Sequence, residues 1–117
     1  MAAKQFDLDP VTQTALAWFK AILTARYGRH LKTLYLFGSR ARGDCRPDSD
    51  ADVAVFLDQV TDPLAEQLDL IDRGYPILLD TGVNIQPWVF EQASLADPAR
   101  HRAAHLVEAI RREGVPL

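Results

Sequence analysis

Several things are scarce in this chain of 117 residues, and each scarcity closes off a class of function. Cysteine occurs once, at Cys45, so no internal disulfide can form and the chain suits a reducing, cytoplasmic setting. Basic residues are outnumbered, 13 against 16 acidic ones, for a formal net charge of -3. That balance argues against direct, non-specific binding to duplex nucleic acid, which requires a basic surface. No apolar run is long enough to span a membrane, and the first residues lack the apolar core of a signal peptide. Internal repeats and low-complexity tracts are missing too. What remains, 48% apolar and 25% charged residues, is the composition of one globular domain over residues 1–117. Such a domain can bury a real core but has little room for a separate substrate-binding unit.

The chain is organised around Leu34 to Phe56. An apolar strand, Leu31 to Phe37, runs into Gly38-Ser39, where a sharp turn is predicted. Arg40, Arg42 and Arg46 then form a local basic cluster, better matched to one small polyphosphate than to a duplex. A second strand, Ala51 to Leu57, opens behind Asp50 and Asp52. Residues two apart on a strand share a face, so these two carboxylates stand side by side. Ala51, Val53, Val55 and Leu57 face the other way. Glycine lets backbone approach a ligand closely, and Ser39 is placed to cap a short helix whose positive end suits a phosphate. Paired carboxylate oxygens suit Mg²⁺ shared with substrate phosphates, and two such ions can clamp both oxygens of an in-line displacement.

These residues carry a resemblance. Gly38-Ser39-Arg40-Ala41-Arg42-Gly43, ten residues between Ser39 and Asp50, and then Asp50-Ala51-Asp52 resemble the minimal nucleotidyltransferase family of the polymerase-β-like superfamily. The resemblance implies an α/β (α+β) fold, a small mixed sheet of about three strands with helices packed on it. It further implies transfer of AMP from ATP to a protein hydroxyl, with Mg²⁺ held by Asp50 and Asp52, which are also the catalytic residues. Gly38, Ser39, Arg40 and Arg42 would hold the nucleotide. The implied partner is a HEPN-type toxin, with the chain as its antitoxin; a homo-oligomer is a further option.

The remaining elements read in order. Asp9-Pro10 starts a helix, with Asp9 as cap, and Val11, Ala15, Trp18, Phe19 and Ile22 form its inward face up to Tyr27 and Gly28. Trp18 and Phe19 read as core rather than as a base-stacking platform. Cys45 has no His or Lys neighbour to activate it and reads as incidental. Asp62-Pro63 starts a second helix with Leu64, Leu68 and Ile71 inward, and Gly74 and Pro76 predict a kink or break before Ile77. Val83 to Phe90 is the third strand, and Pro87 makes it an edge strand or places a bulge in it. Asp97-Pro98 starts a last helix reaching about Arg112, with Leu106, Val107 and Ile110 inward. His101 and His105 lie four apart on it, where a solvated or partner-facing pair is preferred to a metal site.

Members of the superfamily usually present a third acid from a later strand. Here the polar face of the third strand offers Asn84, Gln86 and Trp88 instead. Asn84 and Gln86 are the candidate substitutes, since an amide oxygen can ligate Mg²⁺, although an amide cannot act as a general base. Asp80 and Glu91 flank the strand and are poorly placed. Two functions follow: a nucleotidyltransferase, favoured by Asp50 and Asp52, or a nucleotide-binding module that neutralises its partner by forming a complex, favoured by the amides.

Overall fold

A computed structural model describes residues 8–43, 49–96 and 104–117. Cys45, Arg46, the Asp97-Pro98 helix start and His101 lie outside the described residues. Pro10 occupies the first turn of α1 (Pro10–Tyr27). Asp9 contributes its carbonyl to Gln13 N at 3.0 Å, but its side chain makes no cap bond, contrary to expectation. The inward face is also rotated. Thr12, Ala15, Leu16, Phe19 and Leu23 are buried, Trp18 and Ile22 sit at the rim, and Val11 is exposed.

The strand β1 (Leu31–Phe37) leads into the single turn α2 (Ser39–Arg42), and β2 (Ala51–Leu57) follows. The two strands pair antiparallel, Phe37 opposite Asp52. Then comes α3 (Pro63–Thr81), whose cap Asp62 accepts Ala65 N–H at 3.1 Å. It runs unbroken through Gly74 and Pro76, so the expected break is absent. Pro76 is exposed, and a helix tolerates a lost N–H best on its solvent side. Its inward residues are Leu70 and Ile77, while Leu64, Leu68 and Ile71 are exposed, reversing the expected face. The rotation follows from polar contacts: Arg26 Nε donates to Asp69 at 2.9 Å, and Tyr27 Oη donates to Glu66 at 2.6 Å.

The chain continues through β3 (Ile85–Glu91), the short α4 (Ala93–Ala96), α5 (Ala104–Glu113) and β4 (Val115–Pro116). Among the described residues the sheet has four strands in the order β3-β2-β1-β4, with β2 and β3 parallel and the other pairs antiparallel. The fourth strand, two residues long, was not foreseen. Gly114 permits it, because a side chain there would collide with the carbonyl of Ile110 and crowd Tyr35.

Each face of the sheet buries a separate cluster. Leu34, Leu36, Val53, Val55 and Val89 pack with Leu16, Phe19 and Leu23 of α1 and Leu70 and Ile77 of α3. Phe37, Ala54, Phe56 and Phe90 pack with Val107 and Ile110 of α5. The alternation of β2 thus divides as its sequence requires. As expected from Pro87, β3 is an edge. Its Val89 N–H points away from β2 and donates to Gln67 Oε1 at 3.0 Å. Pro87 shares that parity and offers no donor, so the edge is closed to a further strand. Among the described residues no helix is long and apolar enough to cross a membrane.

Candidate active site

Strand register assembles a ladder of polar groups on the α5 face of the sheet. Ala51 pairs with Ile85 and Asp52 with Gln86, which sets Asp50 beside Asn84 one step before the first pair and Ala54 beside Trp88 two pairs after the second. Asp50 and Asp52 therefore emerge together at the start of β2. Each receives a side-chain N–H, Asp52 from β3 and Asp50 from the residue just before that strand. Asn84 Nδ2 donates to Asp50 Oδ1 at 3.0 Å, and Trp88 Nε1 donates to Asp52 Oδ1 at 3.2 Å. The Asn84 carbonyl also accepts Ala51 N–H at 2.9 Å, so this residue fastens both the backbone and the side chain of the β2 entrance. Trp88 can reach back because its register partner, Ala54, is small; its ring also lies edge-on to Phe37, centroids 6.3 Å apart.

The Gly38 bend lies directly against this pair. Gly38 has φ +79°, a region L side chains rarely enter, and a Cβ there would collide with Asp52 Oδ2. Thus one oxygen of Asp52 is tied to Trp88 while the other abuts the backbone bend. Ser39 does not act as the cap. Gly38 occupies that position, its carbonyl accepting Ala41 and Arg42 N–H at 3.1 and 3.0 Å, and Ser39 is the first helical residue.

The two arginines have distinct settings. Arg40 is 8% exposed. Its Nε and Nη2 donate to the Ser49 carbonyl at 3.1 and 2.8 Å, and Nη1 donates to Thr12 Oγ1 at 3.1 Å. It braces the far end of the β1–β2 connection against α1, a use that its motif position did not signal. Arg42 is exposed, donates to Glu113 Oε1 at 3.3 Å, and lowers the pKa of Asp52 through its charge. Burial is the largest influence on that carboxyl and raises its pKa. The Trp88 hydrogen bond opposes the rise, Asp50 adds to it, and Arg42 opposes it.

The donor set fits a hard divalent cation. Two carboxylates lie one strand step apart on one face, Asp52 against the Gly38 bend, and one oxygen of each accepts a side-chain N–H, from Asn84 and Trp88. Gln86 faces the same side as Asp52 by register; Asn84 offers its N–H rather than its oxygen to Asp50. No third acid joins them: among the described residues no group of three His, Cys, Asp or Glu could hold a metal. Glu91 accepts Val60 N–H at the far end of β3, at 3.3 Å, and Asp80 lies on α3, across the sheet. His105 is exposed on α5. A cavity of about 480 Å³ lined by Tyr35, Gln92, Leu95 and Arg111 opens at the other end of the sheet and contains none of these groups.

The sequence model of the nucleotidyltransferase domain family matches residues 16–108. No curated protein matches the chain. Among solved structures, one described provisionally as a minimal nucleotidyltransferase is 27% identical, with 97% of this chain and 100% of that chain covered and a TM-score of 0.55. A toxin–antitoxin structure with AMP-PNP is 19% identical over 84% of this chain and 68% of that one, TM-score 0.54. A nucleotidyltransferase, also provisionally described, from Sulfolobus solfataricus is 17% identical over 97% and 90%, TM-score 0.51. The fold they share is the polymerase-β-like nucleotidyltransferase core.

Proposed function

This chain belongs to the nucleotidyltransferase domain family, and we propose that it transfers AMP from ATP to a hydroxyl of a partner protein. The observation that carries the reading is the contact between the Gly38 bend and Asp52, with Asp50 one strand step away. Asp50 and Asp52 would hold Mg²⁺, which supplies charge neutralisation on the phosphates when bound. The bend at Gly38 and Ser39 would receive the triphosphate tail, and Arg42 would add positive charge at its side. Arg40 would act by fixing the connection between the two strands. In the transfer, the acceptor oxygen bonds to the α-phosphorus, the hydroxyl proton is lost, and the bond to pyrophosphate breaks. Positioning and charge neutralisation supply most of such catalysis.

The partner proposed is a HEPN-type toxin, with this chain as its antitoxin. Support comes from the motif resemblance and from the toxin–antitoxin structures that share the fold, one of them with AMP-PNP. A second reading is favoured by the amides and indole on β3, where an acid would assist deprotonation. In it the chain binds nucleotide and neutralises its partner by forming a complex. Incubation of chain and toxin with α-labelled ATP and Mg²⁺ separates the two. Label on the toxin that disappears with Asp50→Asn or Asp52→Asn supports transfer; neutralisation without label supports the binding module.

A further inference from the structure

The two side-chain hydrogen bonds onto the carboxylate pair use up oxygens that a metal ion would otherwise share. Asn84 Nδ2 donates to Asp50 Oδ1 at 3.0 Å, and Trp88 Nε1 donates to Asp52 Oδ1 at 3.2 Å. Both donors are held from elsewhere. The Asn84 carbonyl accepts Ala51 N–H at 2.9 Å, and the Trp88 indole stands edge-on to Phe37 with centroids 6.3 Å apart. The Asn84 amide presents its nitrogen to Asp50 for a physical reason, since its oxygen would face a second acceptor with no proton between them. Each donor thus sets a partly positive hydrogen against one carboxylate oxygen and repels a cation from that side. The other oxygen of Asp52, Oδ2, faces the Gly38 bend, where a Cβ would collide with it.

Two divalent ions roughly 3.5–4 Å apart are held by carboxylates that bridge them, one oxygen to each ion. A carboxylate with one oxygen engaged by an N–H has the other to offer. Asp50 and Asp52 together therefore offer two oxygens and two negative charges, which match one Mg²⁺ completed by phosphate oxygens and water. Gln86, beside Asp52 in the ladder, adds no charge. We propose that Asn84 and Trp88 are positioning residues that confine this pair to a single divalent ion, the one shared with the triphosphate at the Gly38 bend. The proposal rests on the reading that Asp50 and Asp52 hold Mg²⁺. It adds how many ions they hold and which two side chains set the number.

Mn²⁺ reports the number directly, because free Mn²⁺ gives a paramagnetic resonance signal that binding suppresses. The full chain, saturated with an ATP analogue carrying a methylene between its α- and β-phosphorus atoms, is titrated with Mn²⁺. The wild type should take up one ion per chain, at least tenfold more tightly than the analogue does in free solution. Asn84→Ala with Trp88→Phe, which removes both donors and keeps an aromatic ring, should take up two. Circular dichroism checks that each variant folds, and Trp88→Phe alone carries the comparison if the pair does not. Two ions in the wild type overturn the proposal and leave the carboxylate reading standing. A count of one that persists without the donors overturns the role of Asn84 and Trp88. Wild-type affinity no tighter than that of the free analogue, or tightening that survives Asp50→Asn with Asp52→Asn, overturns the carboxylate reading itself.

Discussion

Trp88 donates its indole N–H to Asp52 Oδ1 at 3.2 Å from the neighbouring parallel strand. This donor favours the ionised form of a half-buried carboxyl.

Trp88→Phe keeps the ring and removes the N–H. Because that bond lowers the Asp52 pKa, its loss should raise the titration of this carboxyl further, read by carbon-detected NMR. Stability should fall by about 1–2 kcal/mol above the titration and by less below it, since the bond is strongest to the charged form. An unchanged Asp52 titration would deny the bond any role.

Asp52→Asn should stabilise the metal-free chain near neutral pH. Burial raises the folded-state pKa of Asp52 above 3.8. The group's favourable contribution is therefore full below the unfolded pKa and is lost as pH rises through the folded one. The gain should be on the order of a few degrees in Tm and should vanish as pH falls through that window. Paired thermal melts across pH check it; a gap that widens on acidification contradicts it.

Gly38 and Gly82 share nearly the same backbone, φ +79° and +78°, in different surroundings. Gly82→Ala, with nothing nearby, should cost about 1–2 kcal/mol from backbone conformation alone. Gly38→Ala must also displace Asp52, so it should cost more and weaken divalent-cation binding. Denaturant unfolding of the two variants, with Mn²⁺ titration, makes the comparison.

Much of this arrangement was legible in the chain. Strict alternation in Ala51 to Leu57 fixed which face the carboxylates share, and Pro87 announced an edge strand. Other features were hidden because they depend on tertiary partners. The rotation of α3 follows from ties between Glu66, Asp69 and α1, which overrode a plausible Leu64-Leu68-Ile71 face. Trp88 gave a weak signal, an indole two residues beyond Gln86 on the polar face. Its reach to Asp52 depends on the small Ala54 across the ladder. The two-residue β4 has no pattern of its own to detect.

Arg40→Met tests a role in folding against direct ligation. Loss of the bonds to Ser49 and Thr12 should cost about 2–3 kcal/mol and expose the β1–β2 connection to limited proteolysis. Unchanged stability with lost nucleotide affinity would instead make Arg40 a nucleotide ligand.

The most direct test is ATP binding by calorimetry, with and without Mg²⁺, for the wild type and for Asp50→Asn with Asp52→Asn. Mg²⁺ should tighten ATP binding by at least about tenfold in the wild type, a difference of about 1.4 kcal/mol, and not in the double variant. Equal Mg²⁺ enhancement in both proteins would contradict a cation shared between the paired aspartates and the phosphates at the Gly38 bend.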